Sequence, residues 1–89
     1  MQNDNDSAIT FPCEFPIKAM GLAIHDVETI VLEIAQRHAP ALKESALTKR
    51  PSNNGKYLSI TVTVNATSQQ QLDAIYYELT AHENIIMAL

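Results

Sequence analysis

The stretch Tyr57-Leu-Ser-Ile-Thr-Val-Thr-Val-Asn-Ala66 alternates apolar and polar side chains with a strict period of two. Successive side chains of a strand point to opposite faces. The stretch therefore predicts a strand that buries Leu58, Ile60, Val62 and Val64 and turns Tyr57, Ser59, Thr61, Thr63 and Asn65 to water. A helix-period segment lies on each side of it, and a shorter strand-like run lies outside each of those. The predicted order is strand, helix, strand, strand, helix, strand.

The outer elements follow from the same reading. Phe15 to Gly21 is the first strand candidate, with Phe15, Ile17 and Ala19 on one face and Lys18 and Met20 on the other. Pro12 and Pro16 confine any strand there to its first residue or to a sheet edge. The first helix is expected from Asp26 to His38, with Asp26 in the cap or first turn and Arg37 and His38 in the last turn, where the helix dipole favours them. Val27, Ile30, Val31, Ile34, Ala35 and His38 form its buried stripe, and Pro40 ends it. Leu42 to Lys49 reads as a charged edge strand, and Arg50 to Lys56 as the turn, with Asn54-Gly55 suited to positive φ. Ser68 with Gln71 matches a capping box opening a second helix to Ala81, with Leu72, Ile75, Tyr76 and Leu79 buried. Glu83 to Leu89 is the last strand.

Eighty-nine residues with 46% apolar side chains make one domain. Residues 1–10, with Asp4 and Asp6 among Asn and Ser, predict a disordered acidic tail, and residues 11–89 a single domain. The polar, acidic start predicts no secretory signal, and no apolar run reaches the length of a membrane span. A cytoplasmic protein with no membrane partner is expected. The net charge of −4 argues against non-specific nucleic-acid binding. Cys13 is the only cysteine, which excludes an internal disulfide and an all-cysteine metal site.

Two helices must cover one face of the sheet, and parallel crossovers are right-handed. The economical solution is an α+β, ferredoxin-like βαββαβ sandwich of sheet order 4-1-3-2, with both helices on one face. The charged second strand then falls on an edge, in keeping with its composition.

Several elements together resemble a known family. They are Phe11-Pro12, Phe15, Lys18-Ala-Met-Gly21, Gln36-Arg-His-Ala-Pro40, Ser52 with Gly55-Lys-Tyr57 and Ser59, and Gln71-Leu72 with Tyr77-Glu-Leu79. In this set the chain resembles the YbeD-like family, small bacterial proteins of unresolved function. The resemblance implies a ferredoxin-like fold similar to ACT regulatory domains and a lipoate-related regulatory role. The chain departs from ACT domains before the first helix. Gly21 is followed by Leu22-Ala23-Ile24-His25-Asp26, without an Asp-x-x-Gly turn.

No catalytic or metal motif stands out. His25, His38 and His82 are scattered along the chain and form no short ligand pair with Cys13, so no metal and no cofactor are expected. Acylphosphatases share the topology but need a phosphate-holding arginine in the first loop, which here has neither Arg nor Lys. RNA-recognition modules share it too, but they present two or three aromatic residues for base stacking. Here Tyr57 is followed by Ser59, Thr61 and Thr63. The expected function is therefore a non-enzymatic regulatory or adaptor domain that binds a partner protein or small ligand, as a monomer or weak homodimer. The alternative is an ACT-like amino-acid sensor acting as a homodimer. The candidate binding residues are Lys18, Met20, Ser59, Thr61, Thr63 and Ile86, on the open face and the last strand. A basic hairpin of Lys49, Arg50 and Lys56 is the other candidate surface.

Overall fold

The computed structural model describes residues 9–89. Most of the expected acidic tail, residues 1–8, lies outside the described residues. Ile9 and Phe11 already pack against the core.

Strand β1 (Cys13–Leu22) leads into helix α1 (Val27–His38). Asp26 caps α1, its carboxylate accepting a hydrogen bond from the Thr29 N–H at 3.4 Å. Val27, Val31, Ile34 and Ala35 recur along one side of the helix and are buried there. Strand β2 (Leu47–Pro51) follows a short 3-10 turn at Glu44–Ala46, and strand β3 (Tyr57–Ala66) returns beside it. Ser68 caps helix α2 (Gln69–Ala81), which buries Leu72, Ile75 and Leu79. Strand β4 (Met87–Ala88) closes the sheet.

The strands form one antiparallel sheet of order β2-β3-β1-β4. This is the expected 4-1-3-2 order. Both helices lie on one face, over Ile17, Ala19, Ile60, Val62, Val64 and Ala66, all buried. Each fully buried aliphatic side chain contributes about 1.5–3 kcal/mol, against about 0–1 for an exposed ion pair. The period-two apolar row of β3, meeting the helical stripes, therefore holds the fold.

The expected boundaries shift where pairing decides them. The first strand runs beyond Phe15–Gly21 because all ten residues of β1 pair with β3, from Cys13 opposite Ala66 to Leu22 opposite Tyr57. Pro16 sits inside β1 without breaking it. The N–H of Lys18 donates to Leu89 O, toward β4. Residues two apart share a direction along a strand, so the Pro16 nitrogen faces the same margin, where the β4 ladder covers only Ala19 and Met20. No ladder bond is lost there.

The second strand begins at Leu47, and Leu42 to Ala46 are not part of it. Gln36 Nε2 donates to Leu42 O at 3.0 Å and holds that segment back against α1. Pairing starts where half-buried Leu47 meets Val62. The turn is correspondingly shorter, with Gly55 alone at positive φ (74°) and the Asn54 side chain accepting the Lys56 N–H at 3.0 Å. The last strand is cut to two residues because Ile85 turns into the core as the chain crosses from α2.

Candidate functional site

The face of the sheet away from the helices is open, and the register writes its rows. Arg50 of β2 lies opposite Ser59, Ser59 opposite Met20, and Met20 opposite Met87. One row along, Thr48 lies opposite Thr61 and Thr61 opposite Lys18. Thr63 faces Pro16, and Asn65 faces Glu14. Lys18, Met20, Ser59, Thr61 and Thr63 are thus gathered on one surface. Ile86 stands one residue ahead of β4. Its N–H donates to Met20 O at 2.7 Å and its side chain is exposed, but Met87 takes the place opposite Met20.

The three basic hairpin residues do not make one patch. Alternation turns Lys49 toward the helix side, where Nζ meets Glu28 Oε1 of α1 at 3.3 Å. Lys56 lies in the turn, 5.5 Å from the centre of the Tyr57 ring. Arg50 alone belongs to the open face, opposite Ser59. Among the described residues neither Lys18 nor Arg50 forms an ion pair. Placing Arg50 in the turn hid this role in the sequence. The signal that could have found it is the register of β2, and a single half-buried residue, Leu47, is too little to fix a register.

Two depressions deepen this face at opposite ends of β3. One, of about 320 Å³, is lined by Met20, Arg50, Pro51, Tyr57 and Ser59 among others. The other, of about 590 Å³, lies between Glu14, Thr63 and Asn65 and the α1–β2 connection, from which Pro40, Leu42 and Lys43 line it. The Gln36–Pro40 element builds the wall of this larger groove. Gln36 ties down Leu42, and Gln71 Nε2 of α2 donates to His38 O at 2.7 Å. Arg37 Nη2 binds Glu78 Oε1 at 2.7 Å, and the His38 ring is hydrogen-bonded to the other Glu78 oxygen. Hydrogen bonds first from His38 and then from Arg37 hold the Glu78 carboxyl below its ordinary pKa. The polar members of this element thus brace two helices and a connection.

Among the described residues no group of three or more His, Cys, Asp or Glu side chains could hold a metal ion. The hydroxyls of Ser52, Thr67 and Thr80 bond to amide oxygens of the chain, and no described Ser, Thr or Cys meets a histidine or carboxylate able to act as its base. His82 Nδ1 accepts the Asn84 N–H at 3.1 Å, closing a turn. No helix of the described residues is long and apolar enough to cross a membrane.

The architecture is that of a small, broadly ferredoxin- and ACT-like α+β domain with one open sheet face. The family described as "Protein of unknown function (DUF493)" matches residues 6–89, and the chain belongs to it. A UPF0250 protein of Chromobacterium violaceum is 42% identical over 89 residues, all of both chains. A UPF0250 protein of Neisseria gonorrhoeae is 43% identical over 88 residues, 99% of this chain and 97% of its own. The solution structure of protein HP0495 from H. pylori superposes with a TM-score of 0.74 at 16% identity, covering 100% of this chain and 97% of the other. That last likeness speaks to the fold alone. The YbeD-like designation expected from the motif elements is corrected by these matches, which are to DUF493 and UPF0250 proteins. The lipoate connection implied by that resemblance goes with it.

Proposed function

We propose that this chain is a non-enzymatic adaptor or regulatory domain of the bacterial cytoplasm that binds a partner protein on its open sheet face. The observation that carries this reading is the pairing of Lys18 with Thr61 and of Met20 with Ser59 on a surface no helix covers. Cations, hydroxyls and apolar side chains alternate there. Such a mixture suits specific protein contact better than mere solubility, because a buried apolar centre supplies affinity and the polar groups fix orientation. Exposed Ile86, Met87 and Leu89 continue the apolar part along β4.

The experiment is affinity capture from the source bacterium with the parent and with Lys18→Glu and Ile86→Lys, each checked for native circular dichroism. Both variants should lose a partner that the parent retains. Equal capture by both would move the interaction off this surface. The sensor alternative draws on the ACT-like topology, while the Leu22–Asp26 turn counts against it. A thermal-shift series with the common amino acids separates the two, since a sensor gains stability from its ligand by mass action.

A further inference from the structure

The open face carries a charge opposite in sign to that of the whole chain. The chain has ten acidic residues against six basic ones, for a net charge of −4. To this face the strands contribute Lys18, Arg50 and one acid, Glu14. Lys43 adds a further cation at the larger groove. The residues that approach a partner here are therefore net positive on a net negative molecule, which selects for an acidic partner.

Shape narrows the partner further. The smaller depression lies at Ser59 and the larger reaches Thr63 and Asn65. Six steps of strand lead from Ser59 to Asn65, about 20 Å at strand rise. Between them the outward side chains of β3 recur every second residue, about 6.6 Å apart. An extended segment repeats its side chains at that spacing, whereas a helix repeats at about 5.4 Å. Lys18 stands midway, opposite Thr61, and Arg50 stands at the Ser59 end. Both depressions have apolar walls, from Met20 and Tyr57 at one end and from Pro40 and Leu42 at the other. The wall at Leu42 is fixed in advance by Gln36 and Gln71, so little ordering is needed when it is filled.

The geometry points to an extended, acidic segment of a partner protein, about seven residues long, lying along β3 on the open face. It places an apolar side chain in each depression and a carboxylate at the Thr61 row, flanked by Lys18 on one side and, one row along on the other, by the long side chain of Arg50. This inference rests on the partner-binding reading and names the partner's chemistry. Single-stranded RNA fits less well, because Tyr57 is the only aromatic side chain that β1 and β3 present on this face.

The test uses the full chain, labelled with nitrogen-15, and three probes. One is a seven-residue peptide with leucine at both ends and glutamate at the third and fifth positions. The second carries lysine in place of glutamate, and the third is an oligouridine. The glutamate peptide should shift the amides of Lys18, Ser59, Thr61 and Thr63, bind more weakly as salt is raised, and lose about tenfold in affinity in Lys18→Glu and in Arg50→Glu. The lysine peptide should bind the doubly reversed protein better than the parent. Equal binding of the two peptides, no shift on the open face, or tighter binding of oligouridine overturns the inference. If the peptides fail while Lys18→Glu still loses a captured protein, the partner-binding reading stands and the extended acidic segment does not. If capture is also unchanged, both fall.

Discussion

The backbone of Gly21 in β1 lies against the carbonyl oxygen of Asn84, with no room between them for a side chain. A Cβ at position 21 would run into that oxygen and would also lie 2.9 Å from Val27 Cγ2 at the start of α1. Gly21 thus lets the α2–β4 connection close down on the sheet, which sets where Ile86 and Met87 stand. Gly21→Ala is expected to destabilise the domain by about 1–3 kcal/mol, the usual cost of overpacking. Urea unfolding would measure it. Amide exchange should show the loss concentrated at Lys18, Met20 and Leu89, whose backbones meet across that margin. Parental stability in the variant would mean that the connection moves aside freely.

Glu78 makes stability depend on acid. Its carboxyl is held below the ordinary value of 4.5 by the hydrogen bonds from His38 and Arg37. A carboxyl depressed in the folded state contributes stability that is fully present above the unfolded value and is lost as pH falls through the folded value. The stability difference between the parent and Glu78→Gln should therefore be constant from about pH 5.5 toward neutrality as far as the carboxyl is concerned, and should shrink below about 4.5. Denaturant titrations at stepped pH would show it. A difference that grows as pH falls below about 4.5 contradicts this linkage.

Gln71 departs from its expected part in a capping box. Ser68 Oγ accepts the Gln71 N–H at 3.1 Å, as the motif requires. The Gln71 amide does not return to Ser68. It accepts from the Thr67 N–H at 2.7 Å and donates to His38 O on the other helix. Gln71→Ala should cost about 1–3 kcal/mol through three lost hydrogen bonds, two from the Thr67 N–H and hydroxyl and one to His38 O. Ser68→Ala should cost about 1 kcal/mol through the lost cap. Thermal melts of each give the values. Gln71→Glu keeps the acceptor and loses the donor, so it should fall between the parent and Gln71→Ala. A Gln71→Glu melt equal to that of Gln71→Ala would put the whole effect on the His38 contact.

Gly55 is the described residue with positive φ, at 74°. Nothing lies near the place a Cβ would occupy, so a substitution meets backbone strain without a clash. Gly55→Ala is expected to cost about 1–2 kcal/mol, and Gly55→Asn less, because Asn tolerates the left-handed region. Chemical denaturation of the pair tests this ranking.

Legibility in the sequence tracked how much each segment buries. The period-two run of β3 and the stripes of α1 and α2 carry many buried apolar residues, and their limits were readable nearly to the residue. Strand β2 has Leu47 alone to mark an inside, and its charged residues look alike in a turn or on an edge. Arg50 was therefore grouped with Lys49 and Lys56 in the hairpin and not with the open face, where it stands opposite Ser59. Ile85 and Ile86 are adjacent and chemically alike, so nothing in the sequence told which one the core would take. The larger groove was invisible for a different reason. Its wall depends on Gln36 and Gln71 reaching backbone carbonyls far away in sequence, and no local pattern encodes such a reach.

The margins of the sheet, taken together, make it finite. At β4 both backbone groups of Leu89 engage Lys18, so Ala88 beside it turns its own N–H and carbonyl outward. On the stretch of β1 that β4 leaves bare, Pro16 removes a donor. At the far side β2 carries Lys49 and Pro51, and beyond its end the α1–β2 connection walls β3. A growing fibre needs a run of free donors and acceptors on which to add the next strand. Among the described residues each margin of this sheet offers only a broken run, a poor template for a further strand.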